Sequence, residues 1–158
     1  MSPILEQVQA FLTAHELAAH PGGDGEALIV PMSLTHCRCN VLFHHDRETD
    51  ILVVMGAVPV TVPSERRGAV AEFLTRLNWN LSGNRFLMDF EDGDVRVRRD
   101  VDVPEAPNRE LIAGCFYSTC LALDGFFPAL MNVVFRGMSP VQALEQGEAD
   151  YAKLTAKE

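Results

Sequence analysis

Residues Asp50–Val58 form a run that is apolar on both sides of an extended chain. Ile51, Val53 and Met55 fall on one face, and Leu52, Val54 and Val58 on the other. An antiparallel sheet with one solvated face needs apolar residues on one side only. A strand of this kind needs cover on each face: the helical segments 63–81 and 108–135 can cover one, and a second subunit or a client the other. Its partner precedes it. Thr35–His45 alternates, with Cys37, Cys39, Val41 and Phe43 pointing one way and Arg38, Asn40 and His44 the other, and the polar turn Asp46-Arg47-Glu48-Thr49 closes the hairpin. Ala27–Pro31 is a shorter apolar run whose proline suits an edge.

Around these strands the apolar period changes to that of a helix. Residues 3–19 carry Ile4, Val8, Phe11, Leu12 and His15 on one stripe, with Ser2 as cap and Pro3 at the first helical position. His20–Gly25 reads as a loop. Pro63–Leu81 is the clearest helix, with Val70, Phe73, Leu74, Leu77 and Leu81 in register and Gly83 as its stop. A second hairpin follows, with Phe86, Met88 and Phe90 on one face of its first strand, a turn at Asp92-Gly93, and Val95 and Val97 on the matching face. Pro104-Glu105-Ala106-Pro107 reads as a rigid connector, and Asn108–Phe135 as a long helix that Pro128 is expected to kink near Gly125. Ser139-Pro140-Val141-Gln142 opens a terminal helix as a capping box. The order is α-β-β-β-α-β-β-α-α, an α+β domain with an antiparallel sheet and helices packed on it. It occupies residues 1–150 as a single domain, with 151–158 a frayed tail.

Thirteen basic against 22 acidic residues give a formal charge of −9, which disfavours direct nucleic-acid or anionic-membrane binding. No leader segment and no apolar stretch approaching a membrane span is evident, and four cysteines are too few for a disulfide scaffold, so a cytoplasmic protein is expected. The densest group of potential ligands is His36-Cys37-Arg38-Cys39 with His44 and His45. Cys37, Cys39 and His45 share a strand face, with the cysteines about 7 Å apart, and this is the weak metal or thiol alternative. Two small residues in a sheet and surface histidines are the plainer account. Cys115 and Cys120 diverge on a helix and read as buried thiols. Asp89, Glu91, Asp92 and Asp94 read as a polar hairpin turn. No phosphate loop, nucleophile elbow or zinc-protease motif is present, so neither enzyme activity nor a cofactor is expected. Trp79, the single tryptophan, lies off its helix's apolar stripe and is either a packing residue or an interface anchor.

Several segments together resemble the YbjN-domain family of bacteria. They are Val60–Arg67, Leu77-Asn78, Gly83–Asp89, Asp92–Arg98, Leu130 with Val134, and Ser139–Ala143, spread over about residues 30–145. The resemblance implies a fold similar to type III secretion chaperones, which are small, acidic, homodimeric and non-enzymatic and hold partner proteins on apolar patches. YbjN-like proteins are often labelled sensory or regulatory. The long 108–135 segment and the extra terminal helix set this chain apart from the secretion chaperones, so the resemblance carries the fold and the dimer and not secretion.

The expected function is therefore a homodimeric, non-enzymatic protein-binding module, chaperone- or adaptor-like. Leu52, Val54, Val58 and Trp79 are its candidate partner or dimer contacts, and the client is a basic protein, for which a nucleic-acid-binding protein is one class. The alternatives are the Cys37/Cys39/His45 centre and a small-ligand sensor with a pocket between sheet and helix near Phe116, Phe127 and Met131.

Overall fold

The structure, a computed structural model, describes residues 1–103 and 107–156; the expected connector, apart from Pro107, lies outside them. Ser2 accepts a hydrogen bond from the Leu5 backbone N–H at 3.2 Å and starts α1 (Pro3–Ala14) as its cap residue. The helix stops five residues short of its expected end. Leu17 N–H donates to the Leu12 carbonyl and Glu16 N–H to the Thr13 carbonyl, with Glu16 at φ 56°, which is a Schellman ending made without glycine. The chain so released forms β1 (His20–Gly22), where a loop was expected, and pairs with β2 (Ala27–Ser33).

Next come β3 (Arg38–Asp46), β4 (Ile51–Ala57), a short 3₁₀ turn (Ser64–Arg66), α2 (Arg67–Asn80), β5 (Arg85–Met88), β6 (Val95–Asp102), α3 (Arg109–Arg136) and α4 (Pro140–Thr155). The six strands form one antiparallel sheet in the order β1-β2-β3-β4-β6-β5. The α+β class and the antiparallel sheet are as expected. Residues 151–155, expected to fray, continue α4 as a helix.

Leu28, Val30, Val41, Phe43, Leu52, Val54 and Val97 project from one side of the sheet and are buried. α1, α2 and α3 pack on that side, and α4 packs against α2 and α3. Phe43 stacks on Phe116 of α3 at 5.7 Å between ring centroids, and Phe11 of α1 meets Phe116 edge-on at 6.4 Å. By length and a mean hydropathy of 1.4, α3 could pass for a membrane-crossing helix, contrary to the sequence reading. Its apolar positions are instead core contacts, with Ile112, Phe116, Leu123, Leu130 and Val133 all buried. α4 approaches α3 closely at Gly147, where a Cβ would meet Phe126 at 2.8 Å.

Pro128 sits inside α3, and the helix continues through it. Proline has no N–H to give to the carbonyl four residues earlier, so the Asp124 carbonyl loses its helical partner. His36, at the tip of the β2–β3 hairpin, fills the gap with Nδ1 3.0 Å from that oxygen. The buried Asp124 carboxylate accepts from the backbone N–H groups of His36 at 2.7 Å and Thr35 at 3.1 Å. The hairpin tip is thus latched to the long helix by the residue whose carbonyl the proline frees.

A second staple holds the β5–β6 turn. Arg67 donates to the carbonyls of Val62, Phe90 and Glu91, and Val62 N–H donates to the Gly93 carbonyl at 2.9 Å. Gly93 has φ +80°, and a Cβ there would run into the Val62 carbonyl oxygen, so this turn requires glycine. The acidic cluster here is turn chemistry: Asp89 accepts from Glu91 N–H and Asp92 from Asp94 N–H.

Candidate binding face of the sheet

All four helices lie on one side of the sheet, which leaves the other side uncovered by any described element. Register assigns its residues. Ile29 pairs with Leu42, Leu42 with Met55, Met55 with Arg98, and Arg98 with Arg85, giving one row across five strands. The first three side chains of this row are apolar and half-buried. On one flank of the row lie Asn40, Ala57, Arg96 and Leu87, with Arg38 beyond; on the other lie His44, Val53 and Asp100, then Asp46, Ile51 and Asp102. Along β3 the open face therefore runs from Arg38, over an apolar middle, to Asp46, with Asp102 beside that acidic end, while Arg96 sits among Asp89, Asp92 and Asp94.

Three shallow hollows adjoin along this face. One of about 160 Å³ has Ile29, Leu42 and Met55 as its floor. It shares Asn40 and Ala57 with a hollow of about 510 Å³ at the Arg38 end. It shares Met55 and Arg96 with another of about 440 Å³ beside Leu87.

The arginines of β5 and β6 are held in place. Asp100 bridges Arg98 at 2.7 Å and Arg85 at 2.9 Å, and Arg96 pairs with Asp94 at 2.6 Å. Asp100 can hold both Arg98 and Arg85 because it stands on the same side of β6 as Arg98, two residues away. Partial burial works to raise the Asp100 carboxyl, but the Arg98 and then the Arg85 guanidinium outweigh it and hold it below the usual carboxylate range.

The structure corrects the expected contact residues. Leu52 and Val54 are fully buried and Val58 is 6% exposed, all against the protein's own helices. The surface on which β4 meets solvent is the opposite one, made by Ile51 and Met55 with Val53 between them. The hairpin register carries the signal that identifies it. Asn40 and His44 mark the wet side of β3, and the pairs Leu42–Met55 and His44–Val53 place Met55 and Val53 on that same side. Trp79 stands on α2 with 88% of its surface exposed, so it does not pack in the core.

The metal alternative does not assemble. Cys39 and His45 point into the core side of β3, but six residues separate them, about 20 Å of strand. Among the described residues no group of three His, Cys, Asp or Glu side chains could hold a metal. His45 is buried with Nε2 3.4 Å from Asp50, and among the described residues neither ring nitrogen has a hydrogen-bond partner. All four cysteines are free thiols. Interaction with Cys39, then burial, pushes the Cys37 thiol up, and burial pushes Cys120 up to about 12. The expected sheet–helix pocket is also absent as drawn: Phe116 is core, whereas Phe127 and Met131 line an open trough on the outside of α3.

Comparison with known proteins points to one family. The sequence model of the YbjN family, described as "Putative bacterial sensory transduction regulator", matches residues 5–131. Among solved structures, the chain is similar to the crystal structure of YbjN from E. coli, described as "a putative transcription regulator". The TM-score is 0.56 at 13% sequence identity, over 93% of each chain, a likeness of fold. No curated protein matches by sequence.

Proposed function

The chain belongs to the YbjN family, whose members are described as regulators, and on that premise we propose that it is a non-enzymatic regulator that acts by binding proteins. It pairs with a second copy of itself across the open sheet face and, as a homodimer, holds a basic partner protein in a chaperone- or adaptor-like way. The observation that carries this reading is the half-buried apolar row Ile29–Leu42–Met55 on a sheet face that none of the helices covers.

The polarity of that face supports a second copy as its occupant. With a two-fold axis lying between two such sheets and perpendicular to the strands near Leu42, Arg38 of one copy stands over Asp46 of the other. The sheet edges suit pairing less well. β1 has three residues and contains Pro21, and β5 has four residues. A formal charge of −9 favours a basic partner and speeds its encounter. The four free thiols suit a reducing cytoplasm.

The test is magnetization transfer in a sample mixing unlabelled copies with perdeuterated, methyl-labelled ones. The methyls of Ile29, Leu42 and Met55 are expected to receive intermolecular transfer, and those of Leu52 and Val54 none. Transfer that misses the three open-face methyls contradicts the proposal.

A further inference from the structure

On the side of the molecule away from the open sheet face, α3 presents Phe127, Met131 and Phe135 at spacings of four residues, a stripe about 12 Å long. Phe135 is 64% exposed. Together with Pro128, His36 and the Gln146 side of α4, the stripe lines an open trough of about 530 Å³. Its length is that of two helical turns, and its open shape would leave a small ligand largely in water, whereas a pocket for such a ligand encloses most of it. An amphipathic helix laid lengthwise fits this shape.

The charge pattern says what such a helix carries. The trough lining includes no carboxylate, although the chain is rich in acid. Arg136 closes one end, exposed, and makes no hydrogen bond or ion pair with any described residue. Along the trough's flank Gln146 donates to Asp150 at 3.5 Å and accepts from Asn132 at 2.8 Å. At the other end the trough is closed by His36, which is fixed by its Nδ1 bond to the Asp124 carbonyl. We infer that this trough is the docking site for an amphipathic helix of the partner protein, with an apolar i, i+4, i+8 stripe over Phe127, Met131 and Phe135 and a carboxylate placed against Arg136.

This inference rests on the protein-binding reading and adds where the partner sits. The carboxylate is a local requirement, and the rest of such a helix is free to be basic, in keeping with the acidic surface around it.

The experiment uses the full chain and a fluorescein-labelled 16-residue helical peptide of net positive charge, with leucines at i, i+4 and i+8 and one terminal glutamate. Its control carries lysine in place of the glutamate. Anisotropy titration is expected to show saturable binding that weakens about tenfold for the control peptide, the scale of one charge pair at an interface. Arg136→Glu is expected to reverse that preference, and Met131→Lys to abolish binding, while circular dichroism stays unchanged. Equal binding of both peptides, or retention of binding by Met131→Lys, overturns the inference. Sedimentation velocity of the same variants separates it from the open-face reading. A dimer is retained in both variants if the two sites are distinct. Loss of the dimer in Met131→Lys makes the trough a contact between copies and overturns the partner helix as occupant.

Discussion

Single residues in this chain show how local satisfaction decides position. In the sequence Asp124 is marked only by its place four residues before Pro128. In the fold it is buried, accepts two backbone N–H bonds from the hairpin tip, and gives its freed carbonyl to His36. Asp124→Ala strands those donors at the hairpin tip, and urea unfolding is expected to show a loss of about 2–4 kcal/mol. Proline's missing N–H is visible in the sequence, but the histidine that takes up the freed carbonyl stands 88 positions from Asp124, and no local pattern connects the two. Asp100 carries the acid response of the open face. Its folded-state carboxyl is held below the ordinary value of 3.8. Its contribution is therefore fully present above that value and is lost as pH falls through the lower folded one. Asp100→Asn is expected to lower stability at pH 7 and pH 5 and to flatten the decline below about pH 4, so that its gap to the wild type narrows as the pH falls, read from urea melts at pH 7, pH 5 and pH 3.

At the scale of elements, helix and strand periods identify most of the architecture. The long α3, the capped α4 and the two hairpins stand where the periodicity places them. Three elements differ for reasons that lie in backbone bonding. α1 ends early because Glu16 takes a left-handed conformation. β1 forms because β2 offers it a hydrogen-bonding edge, and alternation over three residues containing a proline and a glycine is too short to read. The tail stays helical to Thr155 because α4 packs on α3 and α2, with Tyr151 stacked on Phe126 at 5.0 Å.

β4 is the instructive strand. Its two apolar faces are legible, yet apolarity alone cannot say which one meets the helices; only the register with β3 does. Paired substitutions separate the faces. Val54→Asp places a charge in the core and is expected to cost at least about 3 kcal/mol or to unfold the protein. Met55→Arg, one residue on, is expected to break the dimer but to leave the single copy folded, with its own stability changed by less than about 1 kcal/mol, because within one copy its side chain reaches solvent. Thermal melts of the two variants check the contrast, and equal losses would mean that the face assignment is wrong.

The whole molecule is a two-layer fold whose helices all gather on one side of a six-stranded sheet. Composition and charge bound its class, and the segments resembling the YbjN family identify its kin, but neither says which surfaces stay uncovered. That emerges only when the strands are laid in register and a polarity from Arg38 to Asp102 becomes visible across the exposed side. Two surfaces then face outward with apolar floors, the sheet face and the α3 trough, and the first is central to the proposed function. Sedimentation velocity of the wild-type chain beside Leu42→Glu tests it most directly. The account predicts a wild-type species of twice 17.4 kDa and a folded monomer for Leu42→Glu; a wild-type monomer, or a dimer indifferent to the substitution, would contradict it.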